Sequence, residues 1–470
     1  MNLRTSLLAA TLLSGVATAQ ESQTWLSGLA GPMHVERLDP AVFGPDWVLI
    51  TEAGSGVDDG AVRAFNTNTG QSLTVVSPLP AVIAEGFPLG PAQAKFDDEG
   101  VLYVAMSNVG PHPLASTVLR FDTQALGWSL NSPPMTTADA TVIDVRTFAQ
   151  TISGDTNVFD IEVGDDGTLY ILDAGLNSIL TYDPATAAFG VLVTLPAVPN
   201  ASGIGPPLSD AVPTALERAG DDLLISTLTG FPFNPGVSTL FRTDLQGNLT
   251  VEYTGLSVIT DVAVDPSDGE IAVAQFASFA LPAGWNPDGG MISKVTPNGL
   301  VPMATGLQFP TSVMFDESGS LFTGSILQGT FTKIVPGVLS YCASAPNSAS
   351  LSGASLSHTG TTSIAGNDLT LTCNDLPAGA TGVFFYGFTP AEYPLGDGTL
   401  CISYPDLFRI NVTQASPAGI ASFGLDTGAL AAAGRIEPGS VIQVQHWYRD
   451  TLAGGSGFNL SNAVQVLFDN

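Results

Sequence analysis

The sequence predicts an all-β chain, a six-bladed β-propeller followed by a smaller β-sandwich domain, and two observations predict it. The first is residues 157–192, NVFDIEVGDDGTLYILDAGLNSILTYDPATAAFGVL. It reads as four short strands separated by tight-turn chemistry, because Gly, Asn and Asp tolerate positive φ and Pro presets its own. A lone four-stranded antiparallel sheet exposes two faces and two edges, so this unit needs copies of itself. The second observation is that the rest of the chain supplies them.

The first strand recurs as PMHVERL from Pro32, PAQAKFD from Pro91, VFDIEVG from Val158, PTALERA from Pro213, ITDVAVD from Ile259 and PTSVMFD from Pro310. The starts lie 46 to 67 residues apart, which suits propeller repeats with loop insertions. The second strand recurs as WVLITEAG, VLYVAMSN, TLYILDAG, DLLISTLTG, EIAVAQFA and SLFTGSIL, and the third as AVRAFNTNTG, TVLRFDTQALG, SILTYDPATAA, TLFRTDLQG, MISKVTPNG and TFTKIVPG. Six such units close into a ring in which each buries its faces against its neighbours. The sixth copy stops at Val335-Pro336-Gly337 without a fourth strand, whereas QTWLSGL at residues 23–29 precedes the first copy and ends as other fourth strands do. The N-terminal strand is therefore expected to complete blade six and remove an open edge.

Composition bounds the function. Lys+Arg number 13 against Asp+Glu 43, a formal charge of -30, which repels phosphate backbones and anionic lipid and argues against nucleic-acid or membrane-surface partners. The acidity suits solubility outside the cell or binding of a divalent cation. Residues 1–20 read as a signal peptide, with Arg4 in the n-region, an apolar run at 7–16 and Ala17-Thr18-Ala19 at the cleavage site. No other run is long and apolar enough to span a bilayer. The chain is thus expected to be secreted, extracellular or periplasmic, and monomeric. The expected domains are the propeller at 21–339, a Ser/Ala/Pro/Asn-rich linker at 340–357 and the β-sandwich at 358–470, where alternating runs such as DLTLTC, GVFFYGF and VIQVQHWYRD are separated by turns. The three cysteines, Cys342, Cys373 and Cys401, suit an oxidising compartment with one disulfide and one thiol left over. In LTLTC, Cys373 reads as a small buried apolar residue.

One position of the first strands carries the candidate site. It is occupied by His34, Gln93, Asp160, Ala215, Asp261 and Ser312, while the next position is apolar throughout: Val35, Ala94, Ile161, Leu216, Val262 and Val313. A period of two places the polar set on one face, toward the central channel, and the apolar set between blades. Two residues on, Glu36, Lys95, Glu162 and Glu217 share that face. The ring is either a hydrated structural channel or a site for a small molecule or extracellular partner, bound by His34, Gln93, Asp160, Asp261 and Ser312. A metal there would be held by Asp160, Asp261 and Glu162, and an all-oxygen set suits Ca²⁺ rather than zinc. Leu228–Phe233 (LTGFPF) reads as an apolar loop on the channel face, either a ligand wall or a plug, and Trp447-Tyr448 as core or as a sugar-stacking platform.

Residues 28–336 resemble the ScyD/ScyE family of exported propellers, which is similar to NHL and SMP-30-like proteins. The resemblance rests on LAGP at 29–32 with TEAG at 51–54, LDAGLN at 172–177, and AVPT at 211–214 with LTGFPF at 228–233. Residues 38–46 depart from it as a longer insertion in blade one. It implies a six-bladed ring and no particular reaction. The C-terminal segment is similar to a domain recurrent in exported bacterial proteins, through FFYG, GDGTLC, WYRD and GFNLS, and that resemblance implies a Cys342–Cys401 pair. Two functional classes follow: a non-catalytic exported propeller that binds at its channel face, or a hydrolase resembling the calcium-dependent lactonases of the SMP-30/gluconolactonase type, whose Glu, two Asn and Asp ligands are matched here only in part by Asp160, Asp261 and Gln93.

Overall fold

Alternating apolar residues and Gly/Asp-rich turns fold into six four-stranded antiparallel sheets, seen in a computed structural model that describes residues 22–266, 269–296, 299–316, 320–334, 338–405 and 407–468. The expected signal peptide lies outside the described residues. Residues 21–335 and 336–470 form separate compact units. In the first unit, blade three shows the pattern: Val158–Val163, Leu169–Asp173, Ser178–Asp183 and Ala188–Thr194 pair in chain order. Apolar faces meet between consecutive blades. Leu49, Val62 and Val76 of blade one pack with Leu102, Val104 and Leu119 of blade two, and Ala105 and Val118 pack with Ile161 and Ile171 of blade three. Burying such side chains is worth about 1.5–3 kcal/mol each, so each sheet depends on its neighbours.

The ring closes as expected. Ser22–Ser27 pairs antiparallel with Thr330–Ile334, Ser27 opposite Thr330, and supplies the fourth strand of blade six. Trp25 stacks edge-on against Phe322 at 5.3 Å, and Leu29 is buried with Phe322 and Phe331. Two stretches that carry the family resemblance meet at a blade junction. Asn177 of LDAGLN accepts the Val212 N–H of AVPT at 2.8 Å, and Asp173 accepts the Asn157 and Leu176 amides at 2.8 and 3.1 Å.

Five first strands share a bulge at one place. Their registers shift between Pro32 and His34, Pro91 and Gln93, Val158 and Asp160, Pro213 and Ala215, and Ile259 and Asp261. A bulge re-aims the side chain that follows it, and here that is the ring position each time, polar in four blades and Ala215 in blade four. The insertion at 38–46 folds as one helical turn, Pro40–Phe43, because Asp39 caps the Ala41 N–H at 2.8 Å and Pro40 suits the first turn. No described helix is long and apolar enough to cross a membrane.

The second unit has a five-stranded sheet, in the order Val338–Tyr341, Phe458–Leu467, Val441–Arg449, Thr381–Gly387, Phe408–Gln414, and a three-stranded sheet of Ser355–Thr359, Thr370–Asn374 and Ala421–Gly424. Leu356, Leu371 and Cys373 of one sheet share a core with Phe384, Val444 and Val464 of the other. Residues 340–357 differ from the expected linker. Val338–Tyr341 joins the five-stranded sheet, Asn347 donates to Tyr448 Oη at 2.9 Å and the Ser348 N–H donates to Asp450 at 2.8 Å. A Ser/Asn/Pro-rich composition reads alike whether its polar groups meet water or finish a sheet edge, so the sequence pattern misses this. Cys342 and Cys401 are disulfide-bonded, and Cys373 is a buried free thiol. Tyr448 is fully buried, which makes it core.

Candidate functional site

The polar ring of first-strand residues is a clasp. Gln93 Oε1 accepts the Ile161 N–H of blade three at 2.7 Å. Asp160 Oδ2 accepts the Leu216 N–H of blade four at 2.8 Å, and Asp261 Oδ2 accepts the Val313 N–H of blade six at 2.8 Å. The other oxygen of each aspartate accepts the amide that follows it in its own strand, at 2.6 and 2.9 Å. Ser312 Oγ accepts the Gly324 N–H at 3.0 Å within blade six. Gln93, Asp160, Asp261 and Ser312 are all 2% exposed or less. His34 bridges the ring, with Nε2 3.4 Å from Gln93 Nε2 and Nδ1 3.7 Å from Asp261 Oδ2.

Two expectations concern this ring. Of the five residues named for ligand binding, Gln93, Asp160, Asp261 and Ser312 have side-chain oxygens engaged by backbone amides, and His34 is held among the side chains of Gln93, Glu36 and Asp261. The metal set fails for the same reason. Both oxygens of Asp160 and Asp261 are occupied, Glu162 lies two residues further along and holds Lys95, and no group of three or more His, Cys, Asp or Glu among the described residues is arranged to hold a metal ion. The residues present do not fit Ca²⁺ at this ring.

The second level is an ion network. Lys95 Nζ lies 2.8 Å from Glu162 Oε2 and 3.3 Å from Glu36 Oε1, and Glu36 Oε2 lies 3.6 Å from His34 Nε2. Glu217 accepts the Val264 N–H at 3.4 Å. The two levels together hold five carboxylates (Glu36, Asp160, Glu162, Glu217, Asp261) against the cations Lys95 and His34. Like charges in a buried site cannot all ionise. Burial pushes Asp160 up to about 8 and Asp261 to about 6, against the pull of His34 on both. Burial and the neighbouring Glu36, Glu162 and Asp261 hold Glu217 well above the usual carboxylate range, although Lys95 opposes them. Glu36 goes the other way: burial would raise it, but Lys95 and His34 hold it down at about 2. Burial likewise opposes charge on His34, yet Asp261, the contact with Glu36 and Asp160 outweigh it and raise its pKa to about 9.

The two ends of the channel differ. Where the first strands begin, Met33 and Phe159 pack in a cluster with Phe87, Phe276 and Phe309 and with Phe233 and Trp285 of the covering loops. Ring centroids lie 4.8 Å apart for Phe233–Trp285 and 4.9 Å for Phe276–Phe309. Of LTGFPF, Leu228 and Phe233 pack in this cluster while Phe231 is half exposed. Where the first strands end, a cavity of about 790 Å³ opens, lined by His34, Glu36, Lys95 and Glu217 and walled by Pro40, Val42 and Phe43 of the blade-one insertion. Sequence reasoning placed Glu36, Lys95 and Glu217 on the channel face but not in a cavity, and it gave the insertion no role. The Asp39-Pro40 pair was the available signal, since an acidic cap followed by Pro marks a helical turn.

No protein-family model matches the chain, and none of the curated proteins matches it. Solved structures similar to it are β-propeller proteins. They include a calcium-binding regucalcin from Agrobacterium tumefaciens (14% identity, covering 67% of this chain and 93% of that one, TM-score 0.41). A virginiamycin B lyase from Staphylococcus aureus shares 13% identity over 67% of this chain and 97% of that one, TM-score 0.39. An auxiliary nutrient binding protein from Bacteroides thetaiotaomicron shares 12% over 66% and 75%, TM-score 0.43. The likeness is one of fold.

Proposed function

We propose that this chain is an exported, monomeric propeller of the ScyD/ScyE type that binds a small molecule without converting it. The binding site is the cavity at the end of the channel where the first strands finish. The observation that carries this reading is the pairing of an open cavity with a preset ion network on its inner wall, in which Lys95 is held between Glu36 and Glu162. Ligand sites of several hundred Å³ with a few convergent polar groups are the usual form of small-molecule recognition. Charges already held by neighbours lose little freedom when a ligand arrives, which favours affinity.

The lactonase reading has less support, because the ring carboxylates that would ligate metal are engaged by backbone amides. A thermal-shift screen of the mature protein against polar small molecules tests the proposal. Val42 is 53% exposed on the cavity wall, so Val42→Trp fills space without disturbing the buried residues. At least one compound should raise the melting temperature of the wild type and not of the variant. Stabilisation that survives Val42→Trp puts the site elsewhere.

A further inference from the structure

We propose that the cavity selects an ammonium group carried on an apolar body, with Glu217 receiving the cation and the blade-one insertion receiving the apolar part. This rests on the cavity being the binding site and adds the chemistry of its ligand.

The argument begins with commitments inside the cavity. Lys95 is held by Glu162 and Glu36 at 2.8 and 3.3 Å, and His34 by Glu36 and Asp261 at 3.6 and 3.7 Å. Arg218, also on the wall, spends its guanidinium on Val163 O at 3.1 Å and Asp165 at 3.0 Å. Glu217 differs. Among the described residues its hydrogen bond is the long one from the Val264 amide to Oε1, which leaves Oε2 acceptor capacity, and Glu217 lines the cavity with Glu36. Lys95 acts on Glu217 but sits at ion-pair distance from Glu36 and Glu162 instead, so a further positive donor complements Glu217.

The second observation is an apolar part of the cavity lining, Pro40, Val42 and Phe43. The turn Pro40–Phe43 is fixed by the Asp39 cap and by Phe43 packed on Phe96 at 4.7 Å between ring centroids. That leaves Val42 exposed on the same cavity that Glu217 lines. An exposed valine on a fixed turn offers apolar area that only a ligand with an apolar body covers. Recognition at two points follows, a charge inside and a hydrocarbon surface outside.

One consequence concerns protons. Burial, with Glu36, Glu162 and Asp261 and against the pull of Lys95, raises the pKa of Glu217 well above the usual carboxylate range. An ammonium beside Glu217 favours its ionised form, so binding should release protons and strengthen as pH rises through that raised pKa.

The test is calorimetry on the mature wild-type protein with phenethylamine, its neutral counterpart phenethyl alcohol, ethylamine, and the anion 3-phenylpropionate. Phenethylamine should bind at least about tenfold more tightly than the other three, the size of one charge-assisted hydrogen bond. In two buffers of different ionisation enthalpy its heat should reveal proton release, which needs no variant. Glu217→Gln keeps an acceptor for the Val264 amide, and should weaken phenethylamine by about tenfold or more with an unchanged melting temperature. Val42→Ser should weaken phenethylamine severalfold and leave ethylamine unchanged. Phenethyl alcohol or 3-phenylpropionate binding as tightly as the amine overturns the proposal, as does amine binding indifferent to Glu217→Gln or without proton release. If none of the four binds while the screen finds a ligand that Val42→Trp blocks, the ammonium proposal fails and the cavity reading stands. If the screen also finds nothing, both fail.

Discussion

Asp160 reaches across a blade boundary to Leu216, its Oδ2 accepting the Leu216 N–H at 2.8 Å while Oδ1 accepts the Ile161 N–H at 2.6 Å. One side chain thus satisfies buried amides of two blades. Asp160→Ala should destabilise the propeller by about 1–3 kcal/mol, because the buried Leu216 N–H loses its acceptor while the Ile161 N–H keeps Gln93 Oε1. Asp160→Asn keeps an acceptor for Leu216 and should cost clearly less. Urea unfolding followed by near-ultraviolet circular dichroism measures both, and equal losses would show that the inter-blade bond contributes little.

The same residues set a pH dependence. Asp160 titrates from 3.8 unfolded to about 8 folded, and His34 from 6.5 to about 9. Both hold protons in the fold that the unfolded chain has released, so the stability they give is present at lower pH and is lost as pH rises through those values. The melting temperature of the propeller should fall between pH 6.5 and 9, and fall less steeply in Asp160→Asn. A flat profile across that window contradicts the assignment. Glu36, held at about 2, acts oppositely and costs stability only as pH drops below its ordinary value of 4.5.

Calcium should leave the propeller unchanged. The melting temperature should be the same in chelator and at about millimolar Ca²⁺, the range in which extracellular modules bind it. A calcium-dependent rise that disappears in Asp160→Asn would restore the ring as a metal site.

Ring closure depends on the first described strand. Removing residues 22–29 exposes the edge of Thr330–Ile334 and uncovers Phe322 and Phe331. The truncated chain should aggregate or melt well below the full one, since open edges pair with other chains. Trp25→Ala alone should cost about 3 kcal/mol, the lower end for a large aromatic because Trp25 is only partly buried. A truncated monomer that melts with the full chain removes the closure argument.

The C-terminal unit should resist proteases across 340–357, where Asn347 and Ser348 are tied to Tyr448 and Asp450. The Cys342–Cys401 loop, 59 residues long, contributes about 4 kcal/mol in the chain-entropy account. Reduction should therefore lower the melting temperature of this unit and expose the segment to subtilisin-like cleavage. Rapid cutting of the oxidised protein within 344–355 would reinstate a free linker.

Most of the propeller was legible because period-two alternation reports which face of a strand is buried, and six copies repeat it with an apolar residue after the ring position. The missing strand of blade six was legible by subtraction. The role of the ring was not. The bulge residues Met33, Ala92, Phe159, Thr214 and Thr260 share no chemistry, so nothing in the sequence announces that the following side chain turns to an adjacent amide. The open end of the channel was not legible either, since alternation along a strand carries no sense of which end loops will cover. Phe87, Phe233, Phe276, Trp285 and Phe309 come from separate loops, and only the closed ring brings them together.

The central claim is that the ligand enters where the first strands end. A crystal structure of the mature protein with the tightest-binding compound from the screen tests it most directly. The claim predicts ligand density in the cavity against Glu36, Lys95 and Glu217, with the turn at Pro40–Phe43 over it. Density instead among Phe87, Phe233 and Phe276 at the opposite end, with the cavity holding only water, would contradict it.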